Sequence, residues 1–188
     1  MALPFGDEAA RYGAVSRIAH WLTALAVIAL IGLGWVMADL PLGAQKLELY
    51  ALHKSIGALV LMVTLARLGW RLAQRGPSGH AEHAPWERVM AKAAHVGLYA
   101  GLLAMPLTGW IASSAANFPV SVFGLFTLPN LVAPDQALRE AAATLHGALA
   151  WGVVGLIVLH AAGAVKHHLI DRDDTLRRML PLARRPSR

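Results

Sequence analysis

The chain reads as an all-α integral membrane protein, a four-helix bundle with both termini in the cytoplasm. Three observations lead there. Hydrophobic residues make up 56% of the 188 and charged residues 15%, against about 45–50% and about 25% in soluble domains. The apolar excess is concentrated in four long stretches. The Lys and Arg residues gather at the ends of those stretches, mostly on one side. The length fits one domain, residues 1–188.

The spans run over about 15–38, 49–72, 89–113 and 141–170. Each supplies the roughly 20 mainly apolar residues needed to cross a ~30 Å hydrocarbon core. Inside lipid each backbone polar group must be satisfied within its own segment, so the spans are helices. Pro106 falls inside the third and removes one backbone hydrogen bond, which predicts a kink. The opening MALPFGDEAA lacks a basic region and leads into a full-length span, so no cleavable signal is expected. Of two loops on the far side, 39–48 is short. The other, 114–139, carries Pro119, Pro129 and Pro134 and is long enough to fold over the bundle mouth.

Orientation follows from the cations. Fourteen Lys/Arg lie at the N-terminal end, between spans two and three, or at the C-terminal end, against Lys46, Lys54 and Arg139 on the other side. The positive-inside rule puts both termini in the cytoplasm. This placement also accounts for the net charge of +6 without nucleic acid; the basic tail TLRRMLPLARRPSR is a topology signal and a lipid contact. With no Cys, disulfides, thiolate metal sites, iron–sulfur clusters and covalent c-type haem are excluded.

Nine His remain to be explained. His80 and His83, in the loop GPSGHAEHAPWE, are expected to be solvated, a loop metal site being the alternative. His20, His53, His146 and His160 fall within apolar spans, where an ionisable side chain is costly and calls for a function and a partner. Helix direction sets their depths. His20 begins an outward span and His160 ends an inward one, so both lie near the cytoplasmic surface; His53 and His146 begin inward spans and lie near the external surface. Fourteen residues turn about 40° short of four full turns and rise ~21 Å, so His146 and His160 share one helix face. The pairs are therefore His20 with His160 and His53 with His146. A neutral His hydrogen-bonded to a neighbouring helix is the plain alternative for any one of them.

Two imidazoles without thiolates or carboxylates are a poor zinc site. They do suffice as axial ligands to an iron porphyrin, which brings four nitrogens of its own, and a bis-His b-type haem suits electron transfer. Ala24, Gly57, Ala150 and Ala164, four residues after each His, leave room on the same faces; close helix packing accounts for them equally.

The sequence resembles the prokaryotic cytochrome b561 family of four-helix dihaem membrane cytochromes. The resemblance is carried by SRIAHW (16–21), LHKSIGALVLMVTLARLGWR (52–71), AHVGLYAGLLAMPLTGW (94–110), FGLFTLP (123–129), LHGALAWGVVGLIVLHAAGAVKHH (145–168) and DDTLRRMLP (173–181). It implies two haem b groups ligated by His20, His53, His146 and His160, a place in the bacterial inner membrane, and electron exchange with a ubiquinone-type quinone. In some members it implies oxidation of superoxide at the periplasmic face. Arg17, one turn before His20, is a candidate propionate partner. His167, seven residues past His160, is a candidate donor to a propionate or a quinone carbonyl. His95 is expected to make a structural hydrogen bond. Near the outer pair lie Lys46, Lys54 and Arg139, but Asp39, Glu48, Asp135 and Glu140 outnumber them, so a strong positive funnel for an anion is not visible. The reading is a superoxide:quinone oxidoreductase; the alternative is a haem-bearing anchor subunit relaying electrons for a partner dehydrogenase or hydrogenase.

Overall fold

The computed structural model describes residues 5–8, 12–74, 77 and 83–180. Arg11, Arg75, His80, Arg184, Arg185 and Arg188, invoked above, lie outside the described residues. Four long helices, α1 (Ala14–Asp39), α2 (Ala44–Ala73), α3 (Pro85–Ala115) and α4 (Gln136–Leu169), are followed by a short α5 (Thr175–Met179). All four long helices have the length and apolarity to cross a membrane. They overrun the expected spans, most clearly at the start of α2, α3 and α4, because polar first turns continue the helix beyond the apolar window.

Local chemistry sets the ends. Pro85 opens α3, where its missing N–H costs nothing, and Glu87 reaches back to accept the Ala84 N–H at 3.0 Å. Asp135 caps α4 by accepting the Leu138 N–H at 2.9 Å. Between α3 and α4 lies a two-stranded antiparallel hairpin, β1 (Ser121–Val122) and β2 (Phe126–Thr127). Its turn places Phe123 (φ 51°) and Gly124 (φ 71°) in left-handed conformations, as a type I′ turn requires. Leu125 N–H closes it onto the Val122 carbonyl at 3.0 Å.

The long α3–α4 connection does fold over its end of the bundle. Ser55 of α2 accepts the Phe123 N–H at 3.0 Å, Trp110 Nε1 donates to the Pro129 carbonyl at 3.0 Å, and Ser114 Oγ accepts the Leu131 N–H at 3.1 Å. At the opposite end α5 is tied to α1. There Trp21 Nε1 donates to the Met179 carbonyl at 2.9 Å and Arg17 Nη1 to the Leu180 carbonyl at 2.8 Å.

The helices pack in the order α1, α2, α3, α4, and the backbone of α4 stands off from α1 and α2. Large apolar side chains such as Leu22, Leu25, Ile28, Leu65, Trp151 and Val158 are exposed, while small polar Ser55, Thr64, Thr108 and Ser114 are buried. That inversion is what lipid as solvent selects: packing favours small residues inside, and the bilayer accepts the large apolar ones outside. A buried core of Val27, Val60 and Val153 joins α1, α2 and α4 across the standoff.

Candidate functional site

A seven-residue step organises the interior on all four helices. On α1 it runs His20, Val27, Gly34; on α2 His53, Val60, Arg67; on α3 His95, Leu102, Gly109; on α4 His146, Val153, His160. A heptad step keeps one face turned inward in a gently supercoiled bundle. Because alternate helices are antiparallel, these positions fall into three layers.

The middle layer is apolar: Val27, Val60 and Val153 are buried against one another, and Leu102 packs on them. Gly101 lets α3 approach here, since a Cβ at that position would meet Val153 Cγ2 at 2.7 Å.

At the hairpin end lie His53 and His146, with ring centres 6.2 Å apart and planes crossed at 65°. His146 Nδ1 hydrogen-bonds the Met105 carbonyl at 3.0 Å, and Thr108 Oγ1 lies 3.2 Å from the same nitrogen. A carbonyl only accepts, so the Nδ1 carries the proton and Nε2 keeps its lone pair, the state a metal ligand needs. His53 Nδ1 is buried without a hydrogen-bond partner, so no hydrogen bond at that nitrogen accounts for a His at this depth. A cavity of about 270 Å³ adjoins the pair, lined by His53, Gly57, His146, Gly147 and Ala150 and closed at its inner end by Val60 and Val153.

At the end carrying the termini lie His20 and His160, again with ring centres 6.2 Å apart, planes at 64°. His95 joins them, its ring centre 5.2 Å from that of His160. Arg67 brings Nη2 to 3.4 Å from His20 Nδ1, a long contact, and its guanidinium lies 5.9 Å from the Tyr99 ring centre. A second cavity, about 240 Å³, opens beside this layer between Tyr12, Ser16, Arg67, Trp70, Arg71 and Tyr99.

The structure thus brings together the two histidine pairs expected from depth. Arg17 is buried one turn before His20 with its guanidinium on the Leu180 carbonyl. His167 turns to Asp171, with Nδ1 2.7 Å from Oδ2, and stacks on His83 with ring centres 4.1 Å apart. His83 is therefore not the solvated residue expected: its side chain is 16% exposed, because the turn after α4 folds back over it. Lys54 faces loop carbonyls of Phe118 and Pro119 at 3.4 and 3.3 Å. Arg67 is the residue that sequence reasoning missed. It stands fourteen residues after His53, the same interval that joins His146 to His160, and that interval carries the signal.

Residues 11–182 match the family described as prokaryotic cytochrome b561. The chain is 39% identical over 179 residues to cytochrome b561 homolog 2 of Escherichia coli (strain K12), covering 95% of each chain. It is 28% identical over 174 residues to cytochrome b561 homolog 1 of the same organism, covering 91% of this chain and 97% of that one. A protein of Yersinia pestis named probable superoxide oxidase CybB is 26% identical over 177 residues, covering 93% and 98%. Full-length similarity and four membrane-length helices agree with the motifs read from the sequence: this chain is a haem-carrying membrane protein of the prokaryotic cytochrome b561 family.

Proposed function

We propose that the chain is a dihaem b-type cytochrome of the cytoplasmic membrane, with His20 and His160 holding one haem on the cytoplasmic side and His53 and His146 the other on the periplasmic side. The observation that carries this is the equal spacing of the two pairs. An imidazole nitrogen binds a first-row metal at about 2.0–2.1 Å and sits roughly 1.1 Å from its ring centre, so rings on opposite sides of one iron have centres about 6.3 Å apart. Both pairs measure 6.2 Å. The cavity beside His53 and His146, and the standoff of α4 from α1 and α2, give a flat macrocycle room. When bound, haem b supplies a one-electron iron couple.

The chain's own residues set where that couple sits. Met105 and Thr108 fix the tautomer and ring orientation of His146. The valine layer keeps the two levels apart and dry. Arg67 brings positive charge beside His20, where an anionic propionate is stabilised; the Arg17 guanidinium is held by the Leu180 carbonyl and the His167 Nδ1 is engaged by Asp171. The second cavity offers a quinone carbonyl a donor in Arg71, which lines it.

Electrons pass between the periplasmic face and a ubiquinone-type quinone, with superoxide as the donor. Support for superoxide is the name of the Yersinia pestis relative, probable superoxide oxidase; the two Escherichia coli relatives are named only as cytochrome b561 homologs. The test is stopped-flow mixing of the purified oxidised protein with superoxide, then with a soluble quinone. Haem reduction followed by quinone-dependent reoxidation is expected. A chain that reacts with neither, and copurifies with a second redox polypeptide, is instead an anchor subunit.

A further inference from the structure

The stacked pair His83 and His167 belongs to a cluster outside both haem levels. Asp171 and Asp173 complete it, and one donor atom from each of the four lies within 4.8 Å of the others. His83 Nε2 is 2.7 Å from Asp173 Oδ2; His167 Nδ1 is 2.7 Å from Asp171 Oδ2 and 3.6 Å from Asp173 Oδ2. We propose that these four side chains bind one zinc-class divalent cation, with two imidazole nitrogens and two carboxylate oxygens as ligands.

Three separate segments converge to make it: the chain before α3, the last turn of α4, and the turn leading to α5. The turn is built to reverse. Asp173 N–H donates to the His167 carbonyl at 3.1 Å, and Arg172 between the two aspartates adopts φ 55°, an uncommon conformation that costs energy in a residue with a side chain. The reversal puts both carboxylates on the side of the His167 ring. The two rings are nearly parallel, 13° apart, each with a nitrogen 2.7 Å from its own carboxylate; one ring has to tilt to bring its in-plane lone pair onto a shared ion. At metal–ligand distances of about 2.0–2.2 Å a tetrahedral set has its donors about 3.4 Å apart, so the two 2.7 Å contacts have to open and the wider pairs, within 4.8 Å, have to close.

Charge and donor type select the ion. Asp171 Oδ2 pairs with Lys166 Nζ at 2.8 Å. Lys166 also pairs with Glu87 and keeps that partner when a cation takes Asp171. Two carboxylates and two neutral imidazoles balance a dication. Nitrogen donors favour zinc over magnesium or calcium, which take oxygen. A bound ion would fasten the loop before α3 to the end of α4, on the side where α5 reaches Arg17 and Trp21.

The experiment uses tag-free, haem-loaded protein in detergent, stripped with a chelator and titrated with Zn²⁺ against a chromogenic zinc indicator. One zinc per chain is expected, undisturbed by millimolar Mg²⁺. His83→Gln and Asp173→Asn should each weaken binding at least about tenfold, with the haem spectrum reporting that each variant is folded. Should either fail to accumulate as haem protein, Asp171→Asn decides in its place. Wild-type protein without stoichiometric zinc, or variants that bind as tightly as wild type, would overturn the site. A hydrogen-bonded His–Asp clasp alone gives that result.

Discussion

Gly109 of α3 presses on His146 of α4: a Cβ added at Gly109 would stand 3.2 Å from His146 Cε1 and 3.3 Å from its Nδ1. The bare backbone there lets α3 come close while the Met105 carbonyl holds that ring; a Cβ would make the ring give by a few tenths of an ångström. Gly109→Val should therefore push His146 out of line at a cost of about 1–3 kcal/mol. The outer haem should be lost or spectrally altered while the inner one is kept. Resolved redox titration checks this, and equal damage to both haems would count against the layer assignment.

The histidine pairs should separate by phenotype. His20→Ala and His160→Ala should each leave about one haem per chain, and the same one; His53→Ala and His146→Ala should each leave the other. Loss of a ligand also opens a cavity in a packed interior, so lower expression accompanies it. A shared phenotype for His20→Ala and His53→Ala would break the pairing.

Arg67→Gln should lower the midpoint potential of the inner haem. A nearby cation favours the reduced, less positive iron; at an effective dielectric of ~20 one charge several ångströms away is worth on the order of 2 kcal/mol before screening, hence tens of millivolts. Arg67→Lys should retain most of the potential, and the outer haem should stay put. Potentiometry on the three proteins distinguishes this from a merely structural role, which moves both or neither.

If superoxide enters at the hairpin end, surface cations there steer it. Lys54 is committed to loop carbonyls, so its replacement would disturb the loop itself. Lys46 likewise holds the Leu40 carbonyl at 2.7 Å, so Arg139→Gln is the cleaner change. It should slow haem reduction by superoxide severalfold at low salt and flatten its ionic-strength dependence, because such charges are screened within ~10 Å at 0.1 M. Reduction by a neutral quinol should hardly change. An unaltered superoxide rate would remove the steering idea.

The four helices and the two histidine pairs were legible in the sequence because each rests on a strong physical constraint. Lipid forces long apolar helices, and helix direction turns position along the chain into depth. The valine layer was legible in principle: Val27, Val60 and Val153 each lie seven residues from a histidine on their own helix. Arg67 was passed over because a cation near a helix end already had a use as a topology signal. The His83–His167 stack lay beyond reach, since it joins residues far apart in sequence through the backbone reversal at Arg172. Sequence periodicity says nothing of such a turn. The hairpin was equally hidden: its strands are two residues each, too short for any alternation to show.

The most direct measurement is the haem content of the purified chain by pyridine haemochrome assay, after acid–acetone extraction and against polypeptide determined by amino-acid analysis. With no Cys to form a covalent link, all haem should extract, and two haem b per chain are predicted. One haem or none, in protein that retains its helical content, would contradict the reading of two ligand pairs stacked on either side of a valine layer.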